Sequence, residues 1–596
     1  MKNKTLLLTF LMLLSFSVSF AQNQIWAKRW NQMPTNSDDK LIAMTTDNAG
    51  NVYVTGYVTT QITPVVKQKI ITIKYNSSGT QIWKATHNPP YTSSYSEQNA
   101  GYAIAISYES GVPYIYVTGT EMVDVNLRYH EMIVLKYEAN STNPAGNMVW
   151  TSPVYEGNQS LQWNYSSESG TAIAVDGNNN IYITGYRNES TSTGYSMGVV
   201  WGYDKNGISL GPFWSWNTNG VTDAGNDIKL DIPNNCLYAT GYSSSNAYLV
   251  KMQLGTGFGW LWDYTWTNPT YSGQDVGSAV SIAPGGANIY VAGFTYNGTT
   301  QRNNGLILKF SSSVGPPSLT VNYNSTYNLA DEFRDIEVPS TTEIYVTGYM
   351  QKVLIGVDLD WLTIKYDALF NLQSGWPQTF DDGMSSPEAN GGDFANAIIV
   401  SPNTGKVYVY GQSNSPLTDV TNIRTIRYAA TGGVYEWTKY YDYAVLTDQP
   451  GGKNSIALTF DDCHLWDNVY VCGASQNPGT GYDCVTIKYA LTGPCSGLGE
   501  GEGKMMSGSI TSESQGTVFP NPFNEKATFK FGNGGEVYAN ASFIIYDVTG
   551  KEVKRIENLY DYQFEIDMIE FDAGIYFYKY VQGETMIASG KFVISQ

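Results

Sequence analysis

Apolar and polar residues alternate with period two through most of the chain, in short runs closed by Gly, Asn, Ser or Asp. Alternation of this kind puts the apolar side chains on one face of a strand, and the closing residues reach the positive φ angles of tight turns. One run recurs. Ile344-Tyr-Val-Thr-Gly348 has counterparts centred on Tyr53, Tyr116, Tyr182, Tyr238, Tyr290, Tyr408 and Tyr470, and the eight copies stand 52 to 66 residues apart. A period in this range marks a repeat architecture. The first unit shows its grammar: Leu41 to Thr45, a turn at Asp47 to Gly50, Val52 to Tyr57, Ile70 to Tyr75, a turn at Asn76 to Gly79, and Gln81-Ile-Trp83.

Four antiparallel strands per unit, repeated eight times, predict an all-β fold, either an eight-bladed β-propeller or a β-solenoid. Closure separates the two. The fourth strand carries Trp83, Trp150, Trp214, Trp260, Trp376 or Trp437 in most units, yet no such strand follows Val485-Thr-Ile-Lys-Tyr489. The missing strand stands at the other end, where Gln24-Ile-Trp-Ala-Lys-Arg-Trp30 reads as a fourth strand without its first three. This permutation predicts a propeller over residues 22–493, its last blade completed by the N-terminal strand beside Val485 to Tyr489.

The unit D-x-x-G-N-V-Y-V-T-G, followed by T-I-K-Y-N-x-x-G-x-x-x-W, resembles the SBBP-type β-propeller repeat of exported bacterial proteins. That resemblance implies a fold and leaves function open, because propellers host unrelated activities. Residues 494–516, rich in Gly, Ser and Glu, read as a linker. Residues 517–596 hold short strands and Gly turns, the pattern of a small β-sandwich. Their motifs, Pro520-Asn521-Pro522, Asp547 to Gly550-Lys551, Gly574-Ile-Tyr576 and Gly590-Lys591, resemble the type A C-terminal sorting domain of the type IX secretion system of Bacteroidetes. The resemblance implies the secretion machinery as a partner, passage across the outer membrane, and release or attachment at the cell surface.

The first residues agree with export. Lys2 and Lys4 precede the apolar run Leu6 to Phe20, and Ser19-Phe20-Ala21 supplies small residues at the cleavage positions. This reads as a signal peptide over residues 1–21 rather than a membrane anchor, the run being shorter than the ~20 residues that span a bilayer. No transmembrane segment is expected elsewhere. A net charge of −19 argues against nucleic acid, which needs clustered Lys and Arg. In an oxidising compartment Cys463, Cys472, Cys484 and Cys495 suggest a local staple, or else small buried side chains, while Cys236 stands alone. Zinc is disfavoured for want of a close Cys pair.

Chemistry is sparse. None of His87, His130 and His464 has a ligand or triad partner at a recognisable spacing, and no HExxH, GxSxG or phosphate loop occurs. Asp461-Asp462-Cys463-His464 reads as a turn before the strand at Val469. One regularity exceeds hairpin grammar: an acid precedes the repeat Tyr by 14 or 15 residues at Asp39, Glu168, Asp223, Asp275, Asp331 and Asp393, with Glu97 displaced in the second unit and only Asn454 in the eighth. These acids are expected where the chain reaches the innermost strand. They either accept backbone N–H bonds from the neighbouring blade or form a ring at the channel mouth that attracts cations. No cofactor is implied, although a structural cation such as calcium is compatible with the acids.

Long second-to-third connections (Val58 to Lys69, Thr120 to Glu131, Arg187 to Ser196) and fourth-to-first connections (Ala85 to Asn99, Ser152 to Ser169) must emerge on one face, because strand direction reverses at every turn. Binding groups concentrate on such loops, and aromatic rings supply contact area at little entropic cost. The candidates are Tyr91, Tyr95, Arg128, Tyr129, His130, Trp163, Tyr165 and Tyr195. The expected function is a non-enzymatic exported module that binds a glycan, a peptide or a surface component. A propeller-type glycoside hydrolase or lyase with paired carboxylates, and a purely structural surface protein, are the alternatives. Symmetry discriminates: an enzyme should place unmatched polar residues at the axis, whereas most irregular residues of this chain are expected in loops.

Overall fold

The computed structural model describes residues 22–32, 37–63, 65–88, 96–122, 130–152, 168–188, 195–211, 214–216, 222–298, 302–313, 315–352, 359–381, 392–414, 420–442, 446–460 and 467–491, together with 517–519, 526–530, 541–547, 551–559, 563–567, 571–572, 574–582 and 585–594. The chain divides into two compact units, residues 1–495 and 496–596.

The first unit is all-β and propeller-like. Its sheets follow one another in chain order, their main strands antiparallel and read from first to fourth, with Ser37–Asp38 adding a short parallel pairing to Gly481–Tyr482 in the eighth. The first sheet comprises Lys40–Thr46, Val52–Gln61, Lys67–Tyr75 and Gln81–Thr86, and the sixth comprises Asp331–Ser340, Glu343–Gln351, Leu359–Tyr366 and Gln378–Phe380. In the eighth the first strand is split into Asp448–Pro450 and Ile456–Phe460, and the outer position is taken by Gln22–Trp30. That N-terminal strand runs antiparallel to Gly481–Leu491 with Ala27 opposite Ile487, where the sequence places it. First strands of successive sheets touch in turn, and Ile456–Phe460 of the eighth touches Lys40–Thr46 of the first.

The repeat motif has a physical reason at each letter. Every first strand carries a bulge opposite the repeat glycine, as between Leu41 and Ala43 facing Gly56, or Phe333 and Asp335 facing Gly348. A Cβ on Gly56 would fall on the Lys40 carbonyl oxygen, and one on Gly348 on that of Glu332, so the bulge excludes a side chain. The repeat Tyr and the Lys of T-I-K-Y form a latch to the next sheet. The Lys74 ammonium lies over the Tyr53 ring and donates to Ala139 O in the third-to-fourth turn of the second sheet. Lys136, Lys251, Lys309, Lys365 and Lys488 repeat this over Tyr116, Tyr238, Tyr290, Tyr345 and Tyr470, at 5.0 to 5.7 Å from the ring centroids. Their acceptors are the turn carbonyls of Lys205, Ser312, Ala368, Ala430 and Ser77. The outer-strand Trp donates to the same carbonyls: Trp83 to Ala139, Trp150 to Lys205 and Trp26 to Ser77. Lys488 and Trp26 therefore fasten the eighth sheet to the first with the contacts that join the second to the third.

Two sequence expectations are corrected. Cys236, Cys472 and Cys484 are free thiols, buried as small side chains, so no staple joins them; Cys463 and Cys495 lie outside the described residues. The second-to-third connections are shorter than expected because the strands run on: Val58 pairs with Lys69, Glu121 with Glu131 and Arg187 with Met197.

The second unit holds one sheet of Thr517–Phe519, Lys526–Lys530 and Gln563–Asp567, and another of Glu552–Leu559, Ala541–Tyr546, Gly574–Gln582 and Thr585–Ile594. Ala527 and Phe529 of the first share a core with Phe543, Ile545, Tyr578, Tyr580, Phe592 and Ile594 of the second.

Candidate functional site

Where the chain reaches each innermost strand, the same position is polar and buried, two residues before the one that faces the repeat glycine. It is held by Asp39, Asn99, Glu168, Asp223, Asp275, Asp331, Asp393 and Asp448. Two assignments thus differ from those counted back from the repeat Tyr. Asn99, not Glu97, occupies the second position and accepts from Met122 N at 2.7 Å, while Glu97 pairs with Lys67 at 2.7 Å. Asp448, not Asn454, occupies the eighth. Counting fails in these units because residues are added between this position and the Tyr, in the first hairpin of one and within the first strand of the other.

The aspartates act as joints. Asp39 accepts from Thr59 N at 2.8 Å and Gln32 N at 2.7 Å, Asp275 from Tyr296 N and Asn268 N, and Asp331 from Ser325 N at 2.7 Å. Asp223 accepts from Ser244 N and Asp393 from Asn414 N, both at 2.7 Å. Their donors lie at the end of the same sheet's second strand, as with Thr59 and Asn414, or on the segment arriving from the preceding outer strand, as with Gln32, Asn268 and Ser325. The bonds are thus not all drawn from a neighbouring sheet. Glu168 differs, meeting Arg187 Nε at 3.1 Å. Burial pushes the carboxyl of Asp39 up to about 7, that of Asp331 to about 6 and that of Glu168, against the opposing pull of Arg187, to about 7.

The sign of the pH dependence follows. A carboxyl that holds its proton more tightly folded than unfolded contributes stability at low pH, and that contribution is lost as pH rises from the ordinary carboxyl value of about 4 to the raised one. Asp331→Asn is expected to flatten the fall in melting temperature between pH 4 and about 6, measured by calorimetry against the unsubstituted chain. An unchanged slope would show that Asp331 titrates normally.

Of the aromatic and basic loop candidates, Tyr91, Tyr95, Arg128, Tyr129, Trp163 and Tyr165 lie outside the described residues. His130 is not on a loop; it begins the strand His130–Glu138 opposite Met122, with Nε2 buried and burial lowering its pKa, while Tyr195 is half-buried just before Ser196–Tyr203. His87 has the partner that sequence spacing did not show, since its Nε2 lies 2.8 Å from Glu121 Oε1 with both side chains buried. The Asp461 to His464 cluster is outside the described residues. Among the described residues no group of three or more His, Cys, Asp or Glu is placed to hold a metal ion.

The symmetry breaks at the centre, contrary to the expectation that irregular residues fall in loops. The position facing the repeat Thr, or its equivalent, is Ala43, Ala103, Ala172, Ala279 and Ala397 in five sheets but Asp227 and Asp335 in the fourth and sixth. Two residues on, Lys229 and Glu337 face the repeat Tyr where other sheets have Thr45, Ala105, Ala174, Ser281, Ile399 and Ala457. Asp227 accepts from Val280 N at 3.0 Å and Asp335 from Ile398 N at 2.9 Å, tying each first strand to the next. In the eighth sheet the bulge grows into an excursion between Pro450 and Ile456. Lys453 on it crosses to the fourth and fifth sheets, donating to Asn226 O at 2.6 Å and Ser278 O at 2.9 Å, with Asp227 Oδ1 at 3.3 Å. Gly452 N donates to Ile42 O, and Asn454 O accepts from Met44 N.

Beside this strut lies a cavity of about 330 Å³ lined by Asn226, Ser278, Arg334, Asn396, Gly452 and Lys453. Asn226, Ser278, Arg334 and Asn396 are the bulged residues of four successive first strands, so the wall sits near the ends by which those strands are reached. Arg334 Nη1 donates to Asn396 Oδ1 at 2.6 Å, and its guanidinium lies over the rings of Phe394 and Tyr349 at 4.3 and 5.2 Å. Burial raises the carboxyl of Asp335 to about 7 and also raises that of Glu337, whereas Asp227 above all holds the Lys229 ammonium charged. The signal was in the sequence: aligned on the bulge, Asp227-Ile-Lys229 and Asp335-Ile-Glu337 stand against Ala43-Met-Thr45 and Ala103-Ile-Ala105.

In the second unit the sorting-motif residues that are described form turns and core. Lys551 N donates to Asp547 Oδ1 and Asp547 N to Lys551 O, a reciprocal pair of bonds that joins these two motif residues. Tyr576 stacks on Phe592 at 5.7 Å and meets Phe571 edge-on, Gly574 pairs with Ile594, Gly590 with Tyr578 and Lys591 with Phe577. Pro520, Asn521, Pro522 and Gly550 lie outside the described residues.

No curated protein sequence matches the chain. Similar solved structures include Sqt1 from Chaetomium thermophilum (12% identity, TM-score 0.45, covering 78% of this chain and 99% of that one) and the Dos1 propeller (9% identity, TM-score 0.43, 78% and 96%). The β-propeller domain of the Trilobed protease from Pyrococcus furiosus matches at 10% identity with a TM-score of 0.33, over 67% of this chain and 98% of that one. Residues 517–595 match the family model described as the secretion system C-terminal sorting domain. With the Asp547–Lys551 turn and the Gly574–Tyr576 strand in its fold, the chain carries a type IX secretion C-terminal sorting domain and is a secreted or cell-surface protein.

Proposed function

We propose that this chain is an exported, eight-bladed β-propeller that acts as a non-catalytic binding module, its ligand held at the axial cavity. The N-terminal strand closes the eighth blade, residues 1–21 are a signal peptide removed on export, residues 494–516 are a linker, and the tail is a β-sandwich that engages the secretion machinery. The observation that carries the binding reading is the axial cavity, walled by polar groups from five successive sheets in a chain whose other first strands are filled with Ala and other small residues. Concave sites with a few convergent polar groups are where ligands bind. Most of the axial charge is already engaged: Asp227 and Asp335 by backbone N–H groups, Lys453 by two carbonyls and Asp227.

A second reading has one observation in its favour. Asp335 and Glu337 are two carboxyls with raised proton affinity on the same first strand, and a carboxylate pair of this kind can serve as acid and base. Screening the purified chain against glycan and protein arrays tests both. Saturable retention of a ligand with no change to it is the expected result. Release of new reducing ends, abolished in Glu337→Gln, would instead make the protein an enzyme, and absence of any retained ligand would favour a structural role.

A further inference from the structure

The wall of the axial cavity indicates which class of ligand it takes. Five of its six residues are polar or charged side chains and the sixth is Gly452. A lipid or an aromatic ligand would cover the hydrogen-bonding capacity these groups still have, at a cost for each donor or acceptor left unmet, so a hydrophilic ligand fits. The two cations differ. Lys453 uses its ammonium on Asn226 O, Ser278 O and Asp227, and an ammonium has three donors. Arg334 has five N–H donors in a planar fork, yet among the described residues only Nη1 is bonded, to Asn396 Oδ1. Its plane is held in place by the rings of Phe394 and Tyr349. A guanidinium fixed in this way is pre-organised for a planar oxyanion, which it meets with two parallel hydrogen bonds.

Charge limits the choice further. Asp227, Asp335 and Glu337 stand near, and Lys229 and Lys453 act on them. One guanidinium with donors to spare, set among these carboxylates and Glu332, which acts on it directly, suits a monoanion and disfavours a dianion such as a phosphate monoester. In the remaining wall Asn226 and Asn396 each give one Nδ2–H to a carbonyl, Gly277 O and Gly451 O, and an amide nitrogen has a second N–H, so these amides and the Ser278 hydroxyl match the hydroxyls of a sugar. Resting on the binding reading above, we propose that the axial cavity binds a carboxylate-bearing sugar, a uronic acid unit, with Arg334 clasping the carboxylate and Asn226, Ser278 and Asn396 meeting the ring hydroxyls.

The test is calorimetric titration of the full mature chain with D-galacturonate and, separately, D-galactose, which differ at the carboxylate. Galacturonate is expected to bind saturably and at least tenfold more tightly than galactose. In Arg334→Gln the preference should vanish while the chain still melts as a folded unit, and Arg334→Lys, which keeps the charge and loses the fork, should restore only part of it. Should the Arg334 variants fail to fold, Ser278→Ala in the same wall is expected to weaken galacturonate at least threefold, and undiminished binding there overturns the proposal. Equal affinity for the two sugars, or a preference that survives in Arg334→Gln, overturns the carboxylate while leaving the binding reading in place. Failure of both sugars on the unsubstituted chain overturns the proposal as well, and the array screen then decides the binding reading by itself.

Discussion

Deleting Gln22–Trp30 is expected to leave the first unit open, aggregation-prone and unable to melt as one cooperative unit. The strand covers the edge of Gly481–Leu491 from Leu491, opposite Gln22, to Cys484, opposite Trp30. Without it that edge presents unpaired N–H and C=O groups, a template for pairing with another chain. The latch between the eighth and first sheets is lost in part as well. Trp26 is buried between the rings of Tyr75 and Tyr470, at 6.1 and 6.0 Å, and donates to Ser77 O. Trp26→Ala gives the graded version: truncating a buried Trp costs about 3–5 kcal/mol. Chemical denaturation of both variants, with light scattering, checks this. A deletion variant that stays monomeric with an unshifted midpoint would falsify closure by this strand.

Fusing residues 517–596 to a periplasm-directed fluorescent passenger is expected to carry that passenger to the surface or the medium of a host with a type IX system. The parent chain lacking those residues should stay in the periplasm. The effect is close to all-or-none, because a sorting signal is read by a receptor and not by partition into lipid. The tail can act as a separate unit because its core, from Phe529 through Phe543 and Tyr578 to Phe592, is built from its own residues. Fractionation and protease shaving of whole cells give the readout, and a passenger recovered intact from the periplasm refutes the sorting role. Tyr576→Ala, which removes the ring that stacks on Phe592 and meets Phe571 edge-on, should reduce export by unfolding the signal.

A repeat protein assembled from near-identical units tends to spread its polar groups evenly around the axis, so charge confined to two first strands and one excursion needs a cause. Part of the cause is mechanical, since Asp227 and Asp335 each bond the next first strand and Lys453 spans the centre. Arg334 also joins its first strand to the next, through Asn396 Oδ1 and the ring of Phe394, but these contacts leave most of its five N–H donors unused.

Strand order, the eightfold repeat and the N-terminal partner of the last sheet were legible in the sequence, because each rests on local patterning: alternation marks strands, Gly and Asn mark turns, and a stray fourth strand at one end must complete a sheet lacking one at the other. The sorting tail was legible for the same reason, its turn at Asp547–Lys551 and its strand at Gly574–Tyr576 being contiguous motifs. Contacts between units were not. The Lys488 and Trp26 latch onto Ser77, the pairing of His87 with Glu121, and the reach of Lys453 to Asn226 and Ser278 join residues from 34 to 411 positions apart, and no spacing rule connects them. Asp448 escaped notice because distance along the chain was counted across an excursion that lengthens the count without moving the strand. The sequence by itself determined which residues form strands and how many strands make a sheet; only the tertiary structure decided which side chains meet at the centre, because closing the circle brings together first strands that the chain keeps more than a hundred residues apart.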